Sequence, residues 1–225
     1  MSDGELLYEN RLCSQADLAD FLFEGQPLTS FPAGRLRLEN GLDPREGQAA
    51  NYVLWCRQVF PADIVVRWRF RPIREPGLAM FWFAAAGARG QDLFSPDLAP
   101  RTGEYRQYHS GDINAHHLAY FRRKNAVGER SFHTVNLRKS AGFHLVARGA
   151  DPIPSVIDVL DDFQLELSFI GGRVRFRIND LLILDWQDDG AIGGPPLGGG
   201  RIGFRQMAPL IAEYARLTVH AAQTG

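Results

Sequence analysis

The chain has 225 residues, 45% hydrophobic and 23% charged, the balance of an ordinary soluble globular protein and enough for one domain with a substantial core. Its formal net charge of −1 excludes the electrostatic footprint of a nucleic-acid or anionic-membrane binder. The opening MSDGELLYEN has no basic region followed by an apolar one, and no apolar run approaches a membrane span, so the chain as given reads as cytoplasmic.

In chain order, Ser14 with Asp17 three residues on has the form of a helix start and predicts one short N-terminal helix over 15–23. Cys13 and Cys56 lack metal-ligand spacing and read as two buried thiols. Strands are expected at 35–39, 52–58, 65–71, 78–84, 117–123, 132–138 and 143–146. The run VVRWRFR at 65–71 places Val66, Trp68 and Phe70 on one face and arginines on the other. A three-strand meander follows at 165–169, 174–178 and 181–186. Its turns are Gly171-Gly172 and Asn179-Asp180, which tolerate the positive φ of tight hairpins. The last strands are expected at 201–205 and 214–221. Pro44, Pro61, Pro72, Pro76, Pro96 and Pro100 mark loops. GGPPLGGG at 193–200 lacks the lysine and following helix of a phosphate loop and reads as a hairpin connection. So many short strands predict an all-β sandwich of two curved antiparallel sheets, spanning 1–225 as one domain.

Chemistry concentrates in residues 104–144. This segment holds His109, His116, His117, His133 and His144, five of the six histidines, and both lysines, Lys124 and Lys139. Imidazoles titrate near neutrality and cations hold anions, so proton transfer and anion binding are expected there. Strand alternation puts His117, Ala119, Phe121 and Arg123 on one face, and His116, Leu118, Tyr120 and Arg122 on the other. Small Ala119 leaves room beside His117. The bland alternative is that one of these faces packs the sandwich core.

The run YHSGDIN-x-x-H-x-x-YFRRK resembles the YesU-like family, bacterial proteins classed by fold with the concanavalin A-like lectins and glucanases. The resemblance extends through FHTVNLRKSAGFHLVARGADPIPS at 132–155, GRIGFRQMAPLIAEY at 200–214 and DLF-x-P-x-L-x-x-RTGEYRQYHSGD at 92–112. It implies a concanavalin A-like jelly roll whose concave face holds a glycan. It also implies an association with bacterial catabolism of acidic plant polysaccharides such as rhamnogalacturonan. The family pattern matches His117, whereas the position of His116 can be apolar.

Three functional classes remain open. A sandwich glucanase carries Glu-x-Asp-x-x-Glu along a strand; no such string occurs, and the acids of 104–144 are only Glu104, Asp112 and Glu129. β-Elimination from a uronic acid fits the inventory better, with Arg122, Arg123 or Arg205 neutralising the carboxylate, His109 or His117 as base, and Tyr108 or Tyr105 as acid. A non-catalytic carbohydrate-binding module is the alternative to both enzymes. Lys139 and Gln206 are further candidates to hold the oligosaccharide, and Trp186 is a candidate sugar platform; Trp55, Trp68 and Trp82 read as core. Adjacent His116 and His117 point apart on a strand and cannot share one ion, whereas His109, Asp112 and His117 could converge on a metal. A structural calcium held by loop carboxylates suits sandwiches of this type without assigned ligands. The oligomeric state is open, a homodimer being one option.

Overall fold

The computed structural model describes residues 4–123 and 133–223. Among these residues, fifteen strands make two antiparallel sheets. They are β1 (Leu6–Asn10), β2 (Phe21–Glu24), β3 (Pro27–Ser30), β4 (Leu36–Asn40), β5 (Tyr52–Cys56), β6 (Ile64–Arg74), β7 (Gly77–Gly87) and β8 (Ile113–Arg123). The chain continues through β9 (Thr134–Ser140), β10 (His144–Ala150), β11 (Phe163–Ile170), β12 (Arg173–Ile178), β13 (Leu181–Gln187), β14 (Arg201–Met207) and β15 (Ile211–Ala221). One sheet runs β13-β12-β11-β6-β15-β4-β3, with β1 also on β15; the other runs β10-β9-β8-β7-β14-β5-β2. Consecutive pairs such as β11-β12-β13 are hairpins, but each sheet is completed by strands far apart in sequence.

Period-two patterning builds the interior. Trp68 and Phe70 from β6 meet Phe81 from β7, Tyr120 from β8, Phe176 from β12 and Phe204 from β14 in one cluster between the sheets. Trp68 stacks on Phe81 with ring centroids 4.4 Å apart and donates from Nε1 to the Tyr120 hydroxyl at 3.2 Å. Each such ring removes a large apolar area from water, and the aromatic contacts add about 0.5–1.5 kcal/mol apiece. The meander turns are as expected: Gly171, Gly172 and Asn179 have φ of 55°, 75° and 51°.

A second apolar cluster lies on the outer face of the seven-stranded sheet. Val53, Trp55, Met80, Trp82, Ala115 and Ala119 of that face pack under Leu93, Leu98 and Tyr108 of the long β7–β8 connection. Trp55 and Trp82 are therefore buried beneath a loop, whereas Trp68 alone of the mid-strand tryptophans packs between the sheets.

Some local expectations are corrected. The helix expected over 15–23 is a 3-10 turn, Gln15–Asp20, and Phe21 already begins β2. The Asp17 carboxylate accepts from the amides of Cys13 and Ser14, so the start signal is real. Pairing of Phe21–Glu24 with β5 then ends the turn. Pro72 lies inside β6, at the irregularity opposite Ile211 and Ala212 that spares its missing N–H. Cys13 is half-buried and only Cys56 is buried; both are free. Lys124, Glu129 and the first residue of the strand expected over 132–138 lie outside the described residues.

Candidate functional site

Register across the seven-stranded sheet assembles the site. His117 on β8 lies opposite Trp82 of β7 and Arg138 of β9. Gly203 on β14 faces Trp82 and Trp55, and a Cβ there would come within 2.5 Å of the Trp55 ring. The next row contains Asn136, Ala119, Met80, Arg205 and Val53. Leu78 and Met207 pair in the third.

The connection over this face brings Tyr105 down onto His117. Tyr105 precedes the single-turn helix α1 (Arg106–His109), and its hydroxyl lies 2.9 Å from His117 Nε2. The Tyr105 hydroxyl donates when the imidazole carries its proton on Nδ1. The β9–β10 turn closes the other side. Gly142 N–H donates to His109 O at 2.7 Å, and Phe143 sits with its ring centroid 4.5 Å from His109 and 5.4 Å from Tyr105. Arg138 lies 3.8 Å from the Phe143 ring centroid and donates to the Phe143 carbonyl at 3.0 Å. His117 is thereby fully buried, Tyr105 is half-buried, and Phe143 is exposed at the surface.

The electrostatics are one-sided. Arg205 is fully buried beneath Tyr105, with its guanidinium carbon 4.9 Å from the ring centroid. Nη2 donates to Gly103 O at 2.9 Å, while Nε and Nη1 have no hydrogen-bond partner among the described residues. Among the described residues neither Arg205 nor Arg138 pairs with a carboxylate. Burial pushes the Arg205 pKa down to about 10 and also lowers that of Arg138. It holds His117 well below 6.5, helped by Arg138, His109 and Arg205, and it lowers His109 as well. Tyr105 is pushed up to about 12 by burial, against the pull of Arg205, Arg138 and Arg122. Neutral imidazoles and uncompensated guanidiniums therefore share one face. Among the described residues, His117 Nδ1, Trp82 Nε1 and Asn136 Oδ1 are also buried there without partners, and such groups are normally satisfied.

A bulge rearranges the end of β8. Gly77 and Ala79 of β7 pair with Arg123 and Tyr120, so β8 carries one extra residue, and Phe121 has φ of 46°. Tyr120 and Phe121 both enter the inter-sheet cluster. Alternation resets, and it is Arg122, not Arg123, whose charge acts on Tyr105. The pairing of His117 with Arg123 on one face is thus corrected. Arg123 is buried, donating to Asp151 Oδ2 at 3.0 Å and lying 4.4 Å from the Phe121 ring centroid. Arg122 is half-buried, and Nη1 donates to Thr134 Oγ1 at 3.0 Å.

Four other candidates lie elsewhere. Tyr108 is buried under the connection, where its hydroxyl accepts from Gly103 N–H at 3.0 Å, and burial raises its pKa. Lys139 points between the sheets, 2.8 Å from Asp188 Oδ2 and donating to Gly194 O at 2.6 Å. Gln206 also points inward and donates to the Tyr52 hydroxyl at 2.7 Å. Trp186 belongs to the eight-stranded sheet and packs against the inner cluster, 5.7 Å from the buried ring of His116. Hidden from sequence reading were Arg138, Asn136 and Phe143. The period of β9 does place Asn136 and Arg138 opposite to Val135 and Leu137. Which β8 residue they meet depends on a register that no local signal encodes.

Among the described residues, no three His, Cys, Asp or Glu side chains gather to hold a metal ion. Asp112, expected near His109 and His117, instead accepts from Ala99 N–H at 2.7 Å and pins the connection.

The family model described as Domain of unknown function (DUF1961) matches residues 5–219. The chain belongs to this family. It is 52% identical over 220 residues to the uncharacterized protein YesU of Bacillus subtilis strain 168, covering 98% of this chain and 97% of that one. A Bacillus subtilis crystal structure described as having a galectin-like fold matches with a TM-score of 0.92 and 50% identity, covering 99% of both chains. The carbohydrate recognition domain of Emp46p, in its potassium-bound form, has the same fold at 13% identity, with a TM-score of 0.62 over 99% of each chain. The DUF1961 chain is thus a lectin-like sandwich, as its motifs indicate.

Proposed function

We propose that the outer face of the seven-stranded sheet binds an acidic oligosaccharide and cleaves it by β-elimination. The observation that carries this reading is the pair of guanidiniums, Arg138 half-buried and Arg205 fully buried, with no carboxylate partner among the described residues. An anionic ligand supplies the missing charge, and desolvation strengthens the attraction. Carbohydrate recognition by a protein of the same fold, Emp46p, supports a sugar as the carrier of that charge. Phe143 and Tyr105 offer aromatic surface for a sugar ring.

The Tyr105–His117 contact extends the reading to chemistry. Elimination from a uronate requires removal of the proton α to the carboxylate and loss of the oxygen at the β carbon. The phenolic oxygen of Tyr105 takes the α proton as its own proton passes to His117 Nε2. The C–H electron pair becomes the new C=C bond, the C–O bond breaks, and the leaving oxygen takes a proton from water. Arg138 offsets the charge that builds on the carboxylate. Rhamnogalacturonan-type oligosaccharides are the first substrates to test. New ultraviolet absorbance of an unsaturated sugar together with new reducing ends supports the lyase. New reducing ends without absorbance make the protein a hydrolase. Tight binding with neither makes it a binding module, and no binding overturns the whole reading.

A further inference from the structure

A polar cavity of about 400 Å³ lies on the outer face of the eight-stranded sheet, on the opposite side of the sandwich from the Tyr105–His117 pair. Val66, Trp68 and Phe70 of β6 enter the inter-sheet cluster, so alternation turns Arg69 outward into the cavity wall. Ala215 of β15 pairs with Arg69, and its small side chain gives the cavity depth. A bulge follows at once. Ala215 and Thr218 pair with Arg69 and Arg67, so β15 carries one extra residue, and Arg216 takes φ of 55°. Arg216 N–H donates to Arg11 O at 3.1 Å, which ties the bulge to the residue after β1. Arg11, Arg216 and Arg35 complete a basic wall, and Asp161 and Asp162 close the side next to β11.

Four arginines thus face two aspartates, an excess of two positive charges. Arg35 is matched, donating from Nη1 and Nη2 to the two carboxylate oxygens of Asp162 at 2.8 and 3.2 Å. Among the described residues, Arg11, Arg69 and Arg216 have no carboxylate partner. Elsewhere on this face Arg37, Arg67 and Arg173 pair with Glu213, Glu166 and Asp185. Asp161 accepts from Asp162 N–H at 2.8 Å and stands exposed at the rim, where it can also accept from hydroxyl groups. A carboxylate ligand brings one charge and a planar pair of oxygens, which a single guanidinium fork satisfies. A phosphate monoester brings about 1.5–2 negative charges and three terminal oxygens, enough to engage three guanidiniums from three separate segments. The volume is that of a small-molecule site.

We propose that this cavity binds the phosphate monoester of a small polyhydroxylated molecule, its phosphate on Arg11, Arg69 and Arg216 and a hydroxyl on Asp161. The site shares no residue with the Tyr105–His117 face and does not depend on the saccharide-cleaving reading above. The two sides of the sandwich then take anions of different kinds.

The test titrates glucose 6-phosphate, inorganic phosphate and glucose into the full chain by calorimetry at low and high salt. Glucose 6-phosphate is expected to bind, less tightly at high salt, with inorganic phosphate weaker and glucose not bound. Arg69→Gln and Arg216→Asn, the latter suited to the same φ, are each expected to weaken glucose 6-phosphate roughly tenfold and to leave galacturonate affinity unchanged. Arg173→Gln, on the same face but outside the cavity, is expected to change nothing. No binding of either phosphate overturns the site. Equal weakening by Arg173→Gln does so too, since diffuse surface charge would then explain the binding. Equal affinity for the two phosphates removes the contact with Asp161 and overturns the polyhydroxylated ligand. Loss of galacturonate binding in Arg69→Gln would place the acidic sugar in this cavity and sink both readings. Phosphate binding without galacturonate binding sinks the saccharide reading alone.

Discussion

The Tyr105 hydroxyl, carried by a loop, meets His117 Nε2, carried by the interior strand β8, at 2.9 Å. His117 is fully buried and Tyr105 only half, so the phenolic oxygen is the member of the pair placed to meet a ligand. Tyr105→Phe keeps the ring and its packing on His109 and Phe143 but deletes the proton path. Turnover of an acidic oligosaccharide is expected to fall by roughly 10²–10⁴-fold while its dissociation constant moves less than about threefold. Steady-state kinetics beside calorimetric titration measures both, and unchanged turnover rules out Tyr105 as the proton-transfer group.

The buried charge of Arg205 gives an opposite sign for stability and function. Its guanidinium is fully buried, with one hydrogen bond and no carboxylate partner among the described residues. Replacing an uncompensated buried charge by an apolar chain of similar length is often stabilising. Arg205→Met is expected to raise unfolding free energy by about 1–2 kcal/mol while weakening galacturonate binding about tenfold. Denaturant melts and titration report the two effects, and a loss of stability without loss of binding would make Arg205 purely structural.

Arg138 tests the same charge from the surface. It is half-buried, and one nitrogen is held by the Phe143 carbonyl. Arg138→Gln keeps a donor for that carbonyl and removes the charge. Galacturonate affinity is expected to drop about tenfold, and the dependence of binding on ionic strength to flatten. A variant that binds with the wild-type salt dependence would locate the anion elsewhere.

Local patterning carried the architecture further than it carried the site. Alternation at Val66, Trp68 and Phe70 and the glycine turn at 171–172 are written in neighbouring residues, and both appear as read. The site depends on three things that are not local. The bulge at Phe121 exchanges the roles of Arg122 and Arg123, and a single extra residue leaves no compositional mark. Register alone puts Arg138 beside His117. The fold of residues 88–112, with few periodic cues, decides that Tyr105 reaches the face and Tyr108 is buried under it. Lys139 shows the same limit, since the carboxylate that claims it, Asp188, is 49 residues away.

That ion pair is itself testable. Lys139 and Asp188 are both buried between the sheets, and Asp188 also accepts from Gly190 N–H at 3.1 Å. The pair ties the loop after β13 to β9. Lys139→Met leaves a buried carboxylate without its cation and is expected to cost about 3–5 kcal/mol. Chemical denaturation measures it; a cost below about 1 kcal/mol would mean that His116 or water takes over the charge.

Acid stability follows from the two adjacent histidines. Burial holds His116 down to about 4, partly offset by Asp188 at 3.6 Å and reinforced by Lys139. Burial also holds His117 well below 6.5, with Arg138, His109 and Arg205 adding to the effect. In the unfolded chain both imidazoles protonate near their ordinary value of about 6.5. Between 6.5 and the folded values the unfolded state binds more protons, so stability is fully present above about 6.5 and is lost as pH falls toward about 4. Each histidine contributes at most about 1.4 kcal/mol per pH unit across that window. His116→Leu removes one of these protonation sites and fits a ring-lined pocket of Phe83, Phe169 and Trp186. The variant is expected to lose roughly half as much stability as the parent between pH 6.5 and 4.5, measured by denaturant unfolding at stepped pH. Parallel pH profiles would mean that His116 is charged in the folded protein and paired with Asp188, not held neutral by its burial.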